Sequence, residues 1–157
     1  MTRPGPRLAQ LLLASYRTMV DAAQDELAHR GYPDMRSSLH YAMAAIDAGA
    51  VTASDLGRAL SVSKQAAAKT IAVLVERGYV AVDQDPADGR RRSLRVTQLG
   101  QEVTLEGESI FDELRQQWAD RIGEDELVRI EAQLIAFVGD DGISPGPAAP
   151  AASRATD

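Results

Sequence analysis

Four arginines lie within six residues in the stretch DPADGRRRSLRVT, which runs from Asp85 to Thr97. Their charge follows an Asp-Gly pair that is typical of a tight turn. Positive charge gathered at the tip of a hairpin suits contact with a polyanion, although an Arg-rich solvated surface is the alternative. The arginines are Arg90, Arg91, Arg92 and Arg95.

The distribution of charge is more informative than the total. The 157 residues carry a formal net charge of -6, yet the segment from Arg58 to Thr97 holds eight basic and four acidic residues. This segment therefore has a charge of +4, and the rest of the chain carries -10. A basic segment on an acidic chain predicts that the polyanion contact is confined to one face.

The residues after Ser63 predict a helix with two unlike faces. One stripe at helical spacing is small, polar and basic, and the opposite stripe is apolar and faces the core. The first stripe suits entry into the major groove of DNA, because a large residue at Ala68 or Ala72 would hold the helix away from the bases. The first stripe contains Gln65, Ala68, Lys69, Ala72 and Glu76, and the second contains Ala67, Ile71, Leu74 and Val75.

Each polar residue of this helix has a predicted contact. Gln65 can form two hydrogen bonds with an adenine edge, and Lys69 can reach a phosphate or a guanine. Lys64 lies beside the helix start, within reach of phosphate. The free N–H groups that follow Ser63 favour a phosphate at the same place.

Composition excludes several classes of function. The chain has no cysteine, so disulfides, thiolate metal sites and cysteine redox sensors are excluded. The two histidines, His29 and His40, have no partner at metal-ligand spacing. We see no Ser, His and acid arrangement and expect neither an enzyme nor a cofactor. No apolar run approaches a membrane span and no signal peptide is evident, which predicts a soluble cytoplasmic protein.

Periodicity and turn residues predict the order of the elements. Helices are expected from Leu8 to Arg30 and from Met35 or Arg36 to Asp47. Two short helices follow, the first capped by Thr52 or Ser54 and the second by Ser63 and closed by Gly78. YVAVDQ and SLRVT are the strands of a hairpin around DPADG. Long helices are expected over residues 98–121 and 125–138.

The run from Val51 to Gly100 resembles the winged helix of the MarR family of transcriptional regulators. The helix-turn-helix DLGRALSVSKQAA, the helix end LVERGYV and the wing DPADGRRRSLRVT followed by LG occur in that family's order and spacing. The resemblance implies a mainly α fold with a small β-hairpin wing, in which a winged helix-turn-helix core is flanked by N- and C-terminal dimerisation helices. It also implies that Asp88 orients a neighbouring arginine while Arg90 meets DNA.

The wing is expected to follow the DNA backbone into a neighbouring minor groove, where narrow grooves attract arginine. Gly89 supplies the backbone freedom that the turn requires. Strand alternation prevents Arg91 and Arg92 from pointing the same way. Arg95 lies farther down the strand and is as suited to an acid on the protein as to DNA.

We divide the chain into a flexible N-terminus (1–7), a MarR-like domain (8–138) and a disordered tail (139–157). Within the domain, 35–97 is the DNA-binding winged helix-turn-helix. The dimerisation helices are 8–30 and 98–138, because the resemblance implies that both termini intertwine with a partner's. A helical layer that covers a monomeric core is the alternative.

Relatives of this kind bind small effectors, and four residues on the first two helices could line such a pocket, although ordinary packing explains them equally. They are Tyr16, Met19, His40 and Met43. The predicted function is a homodimeric repressor that binds a pseudo-palindromic operator in double-stranded DNA and is released by a small molecule. The alternative is a winged-helix protein–protein adaptor without specific DNA binding.

Overall fold

The computed structural model describes residues 3–84 and 92–139. Its elements confirm a mainly α fold with a two-stranded hairpin that follows the helix-turn-helix, as in a winged helix. The predicted wing tip, with Asp88, Gly89, Arg90 and Arg91, and the predicted tail from residue 140 lie outside the described residues. In chain order the elements are α1 (Pro4–His29), α2 (Ser37–Asp47), α3 (Ala53–Ala59), α4 (Lys64–Glu76), β1 (Val80–Gln84), β2 (Arg92–Val96), α5 (Gln98–Ile122) and α6 (Glu124–Val138).

The first helix begins earlier than the sequence suggested. It starts at Pro4, so residues 4–7 are helical and the predicted flexible N-terminus was too long. Proline is well suited to the first helical turn, since its fixed φ matches the helix and its missing N–H has no intrahelical role there. Helix α2 begins at Ser37, at most two residues later than expected.

Side-chain caps fix the two helices of the helix-turn-helix. Thr52, one of the two candidate caps, accepts a hydrogen bond at Oγ1 from the N–H of Asp55 (3.1 Å), and the Asp55 carboxylate accepts one from the N–H of Thr52 (3.0 Å). This reciprocal capping box sets the start of α3. Ser63 caps α4 as predicted, accepting from the N–H of Ala66 at 3.0 Å.

The hairpin is antiparallel and joins the rest of the fold at its base. Val80 pairs with Val96 at the base, where both side chains are buried, and Gln84 pairs with Arg92 at the outer end. The N–H of Leu94 also donates to the carbonyl of Val51 at 3.0 Å. The wing is therefore anchored both to the following helix and to the chain that precedes α3.

One core lies among α1, α2, α3, α4, the hairpin and α5. Many predicted inward residues are buried there or, for the last, beneath α6: Leu27, Leu39, Met43, Ile46, Leu56, Leu60, Ala67, Leu74, Val103, Ile110 and Leu127. Other predicted inward residues are exposed in the single chain: Leu8, Leu11, Leu12, Val75, Leu99, Trp118, Leu134 and Phe137. Val75 lies at the edge of the buried stripe of α4, and most of the others lie on the long helices, away from this core. Among the described residues, none of the helices combines the length and apolar character that crossing a bilayer requires.

Candidate nucleic-acid interface

The two faces of α4 are arranged as the spacing predicted. Ala67 and Leu74 are fully buried, whereas Gln65, Ala68 and Lys69 are exposed. Ala72 and Glu76 continue the exposed stripe along the same face. We call these five exposed residues the α4 stripe. The small side chains at its middle allow a close approach to another surface.

The N-terminal end of α4 is electropositive. Lys64 and Lys69 are exposed, and neither forms an ion pair within residues 3–84 and 92–139. N–H groups in the first turn of a helix have no intrahelical acceptor, and the helix dipole places partial positive charge there. Ser63 satisfies the N–H of Ala66. This end of α4 is therefore suited to an anion such as phosphate.

The hairpin contributes one exposed arginine and one paired arginine. Arg92 is exposed at the outer end of β2. Arg95 instead donates from Nε to Asp83 at 2.7 Å and from Nη2 at 3.3 Å. This ion pair holds the pKa of Asp83 below its usual range. Of the two partners left open for Arg95, the structure favours the acid on the protein.

Six of the eight predicted DNA contacts belong to the described residues, and all six are exposed: Ser63, Lys64, Gln65, Ala68, Lys69 and Arg92. Five of them form one surface at the start and along the face of α4, and β1 packs against the same helix. The predictions for Arg90, Arg91, Asp88 and Gly89 fall outside the described residues and stay predictions.

The sequence analysis missed an anchor at the other end of α4. Arg77 donates from Nη1 to the carbonyl oxygens of Asp34 (3.0 Å) and Pro33 (3.4 Å) in the α1–α2 turn. Asp34 has a positive φ of 57°, a backbone conformation uncommon for a residue with a side chain. The GYPD turn was recognised in the sequence, but its distant arginine partner gave no local signal.

The four residues predicted to line an effector pocket do not lie together. Tyr16 and His40 line one cavity of about 230 Å³ between α1, α2 and α5. Met19 lines a separate cavity of about 480 Å³, against α5 near Trp118. Met43 is only 1% exposed because it lies on the inward face of α2, within the core. The pocket prediction therefore holds together only for Tyr16 and His40.

Two further contacts define this smaller cavity. The hydroxyl oxygens of Tyr16 and Tyr41 lie 3.4 Å apart, and this hydrogen bond together with burial raises the pKa of Tyr41 to about 12. Burial lowers the pKa of His40. Its ring packs over Gly107, where a methyl group would lie 2.9 Å from Cε1. Across the described ranges, no three His, Asp or Glu side chains are grouped so that they could hold a metal ion.

Comparison with known proteins identifies the middle of the chain. A model of the MarR family matches residues 38–91, which span α2, the helix-turn-helix and the first part of the hairpin. No match was found among curated protein sequences. The resemblance drawn from the DLGRALSVSKQAA and DPADGRRRSLRVT motifs is therefore confirmed over this segment.

Solved structures share the fold over most of the chain. A MepR mutant of S. aureus bound to an oligodeoxyribonucleotide superposes with a TM-score of 0.63 at 20% identity, covering 83% of this chain and 95% of that one. MepR, a transcription regulator of the Staphylococcus aureus multidrug efflux pump MepA, gives a TM-score of 0.64 at 19% identity with the same coverage. The transcriptional regulator Tm0710 of Thermotoga maritima gives 0.62 at 18% identity, covering 84% and 92%. At this identity the likeness shows a common fold.

Proposed function

Because residues 38–91 are a MarR-family winged helix-turn-helix, we propose that the protein is a transcriptional regulator that binds double-stranded DNA sequence-specifically. The α4 stripe carries this proposal. Its exposed face is small and polar, its N-terminal end is electropositive, and its opposite face is fixed in the core. The DNA-bound and regulatory relatives of the same fold support it.

In the proposed complex α4 lies in the major groove. Ala68 and Ala72 let the helix approach the base edges, where Gln65 forms paired hydrogen bonds with an adenine. Lys69 contacts a guanine or a phosphate. Lys64 and the N–H groups after Ser63 hold the DNA backbone and set the position of the helix on the duplex.

The wing adds a second contact in the neighbouring minor groove. Arg92, exposed at the outer end of β2, is the described residue closest in sequence to the predicted tip. We propose that Arg90 and Arg91 extend the same contact, with Asp88 orienting an arginine and Gly89 shaping the turn. Such contacts read groove width and charge more than base identity.

We propose a homodimer that reads a pseudo-palindromic operator, since a two-fold dimer presents two recognition helices to half-sites about one helical turn apart. The terminal helices expose unusually apolar faces for a soluble chain: Leu8 and Leu11 on α1 are 55% and 54% exposed, and Phe137 on α6 is 77% exposed. Burying these side chains against a second copy supplies the association energy. We further propose that the dimer is a repressor that a small molecule releases.

The decisive experiment is a binding selection from genomic fragments with the purified protein, sequenced after washes at two salt concentrations. We expect one inverted-repeat motif to be enriched and its recovery to fall as salt rises, because phosphate contacts release counterions. Arg90→Ala should weaken binding to every duplex, whereas Gln65→Ala should chiefly relax the sequence preference.

The same selection separates the proposal from the adaptor alternative. A winged helix that serves only as a protein-binding module would enrich no sequence at low salt. Its interactions, dominated by apolar contacts, would also persist as salt rises. That pair of results would overturn the DNA-binding proposal.

A further inference from the structure

Two cavities adjoin along the line where α2 packs near α5. The first, of about 230 Å³, is the one lined by Tyr16 and His40, and the second, of about 330 Å³, lies nearer the wing beside Val96. Ala44, Thr104 and Glu108 line both. We call the combined feature the α2–α5 groove.

The charged groups of this groove are carboxylates. Glu108 lies at the junction of the two cavities and Asp47 lines the second, whereas no lysine or arginine of the described chain lines either. Neither carboxylate takes part in an ion pair within those ranges. His40 adds no fixed positive charge, since burial favours its neutral form. The groove therefore has a net negative charge with no internal counter-ion.

The first cavity is largely aromatic. Tyr16, Tyr41 and Phe111 line it from three different helices, α1, α2 and α5. The face of an aromatic ring attracts a cation, and the attraction increases when water is displaced. An aromatic surface also stacks on flat apolar ligands. Aromatic rings next to unpaired carboxylates therefore favour a ligand that is both apolar and positively charged.

We propose that the α2–α5 groove binds organic cations that have a flat aromatic body. The body lies among the tyrosines and Phe111, and the positive charge lies beside Glu108, with Asp47 contributing at longer range. Organic anions are disfavoured because they would meet two carboxylates and no basic side chain of the described chain. The proposal names the chemical class of the effector in the proposed function and rests on that function only for its regulatory consequence.

A matched ligand series tests the proposal on the full-length protein without DNA. The probes are N-methylacridinium, neutral acridine and acridine-9-carboxylate, compared by equilibrium dialysis at pH 8, where they carry positive, zero and negative charge. We expect the cation to bind about threefold or more tightly than neutral acridine and the anion to bind most weakly. Equal binding of cation and neutral compound, or tightest binding of the anion, would overturn the proposal.

Variants on α5 place the binding in the groove. Glu108→Gln should weaken binding of N-methylacridinium severalfold and leave neutral acridine nearly unchanged. Glu102→Gln makes the same change of charge at an exposed position on the same helix outside the groove and should change neither. Equal loss in both variants would show attraction to the acidic surface as a whole and would refute the site. Because DNA is absent, either result is independent of the DNA-binding proposal.

Discussion

Arg95 on β2 reaches diagonally across the hairpin to Asp83 on β1, with Nε 2.7 Å from the carboxylate. The two residues are not direct partners in the ladder, since Asp83 faces Ser93 and Arg95 faces Ala81. Diagonal neighbours on one face of a hairpin are within reach of long side chains. This contact neutralises one arginine of the basic segment and limits the free positive charge on the described part of the wing.

Removing the acid should release that arginine. We expect Asp83→Asn to raise affinity for arbitrary duplex DNA by about two- to tenfold at low salt and to steepen its salt dependence, because a free guanidinium near the wing adds a phosphate contact. Fluorescence anisotropy with labelled duplexes measures both. Asp112→Asn, which makes the same charge change at an exposed site on α5, is the control. An equal gain in both variants would mean that net charge alone is responsible.

Most of the fold could be predicted from the sequence because its determinants are local. Ser63 and Gly78 mark the ends of α4 through bonds and backbone angles within a few residues. The apolar stripe of the same helix places Ala67 and Leu74 in the core. The α4 stripe could therefore be predicted residue by residue, and the structure exposes all of it.

Contacts between distant parts of the chain could not be predicted in this way. Arg77 reaches the turn at Asp34 across 43 positions, and Arg30 at the end of α1 pairs with Glu106 and Glu113 on α5. An arginine in a sequence gives its charge but not its partner. Cavities pose the same problem, since Tyr16 and Met19 are three residues apart yet line different ones.

A large side chain in the α4 stripe should abolish DNA binding without unfolding the protein. Ala68 is exposed, so Ala68→Leu costs little stability, but the added bulk would hold α4 away from the base edges. We expect specific affinity to fall at least about tenfold, which corresponds to about 1.4 kcal/mol. Ala28→Leu, an equivalent change at an exposed position on α1, should bind normally. Normal operator binding by Ala68→Leu, with an unchanged melting curve, would refute the placement of α4 in the groove.

Two glycines of α5 should differ in their tolerance of alanine. A methyl group on Gly100 would overlap the carbonyl oxygen of Tyr79, which is backbone and already accepts a bond from the N–H of Thr97 at 2.9 Å. A methyl group on Gly107 would meet only the His40 ring at 2.9 Å. We expect Gly100→Ala to destabilise by about 3 kcal/mol and Gly107→Ala by about 1–2 kcal/mol.

Urea denaturation of four proteins tests this contrast: the wild type, the two single variants and Gly107→Ala combined with His40→Ala. If the clash is with the imidazole, the substitution at Gly107 should cost clearly less in the His40→Ala background than in the wild type. The cost of Gly100→Ala should be the same in both backgrounds. An equal cost of Gly107→Ala with and without the imidazole would show that the helix itself, not His40, requires glycine there.

The burial of His40 predicts a specific loss of stability in weak acid. Its folded pKa lies below the unfolded value of about 6.5, so the unfolded chain binds a proton more readily. Above pH 6.5 the histidine is neutral in both states and the full stability is present. As pH falls below 6.5, the free energy of unfolding decreases by at most about 1.4 kcal/mol per pH unit from this group.

Urea denaturation at pH 7.5 and 5.5 measures the effect for the wild type and His40→Gln. We expect the wild type to lose more stability between the two pH values than the variant does, whatever their absolute difference. Glu108, Tyr16 and Tyr41 share the cavity with the imidazole, and the carboxyls with lowered pKa, such as Asp55 and Asp83, act in a lower pH range. His29→Gln, at the exposed histidine, is the matched control. Parallel pH dependence in the wild type and His40→Gln would show that the buried imidazole does not govern this loss.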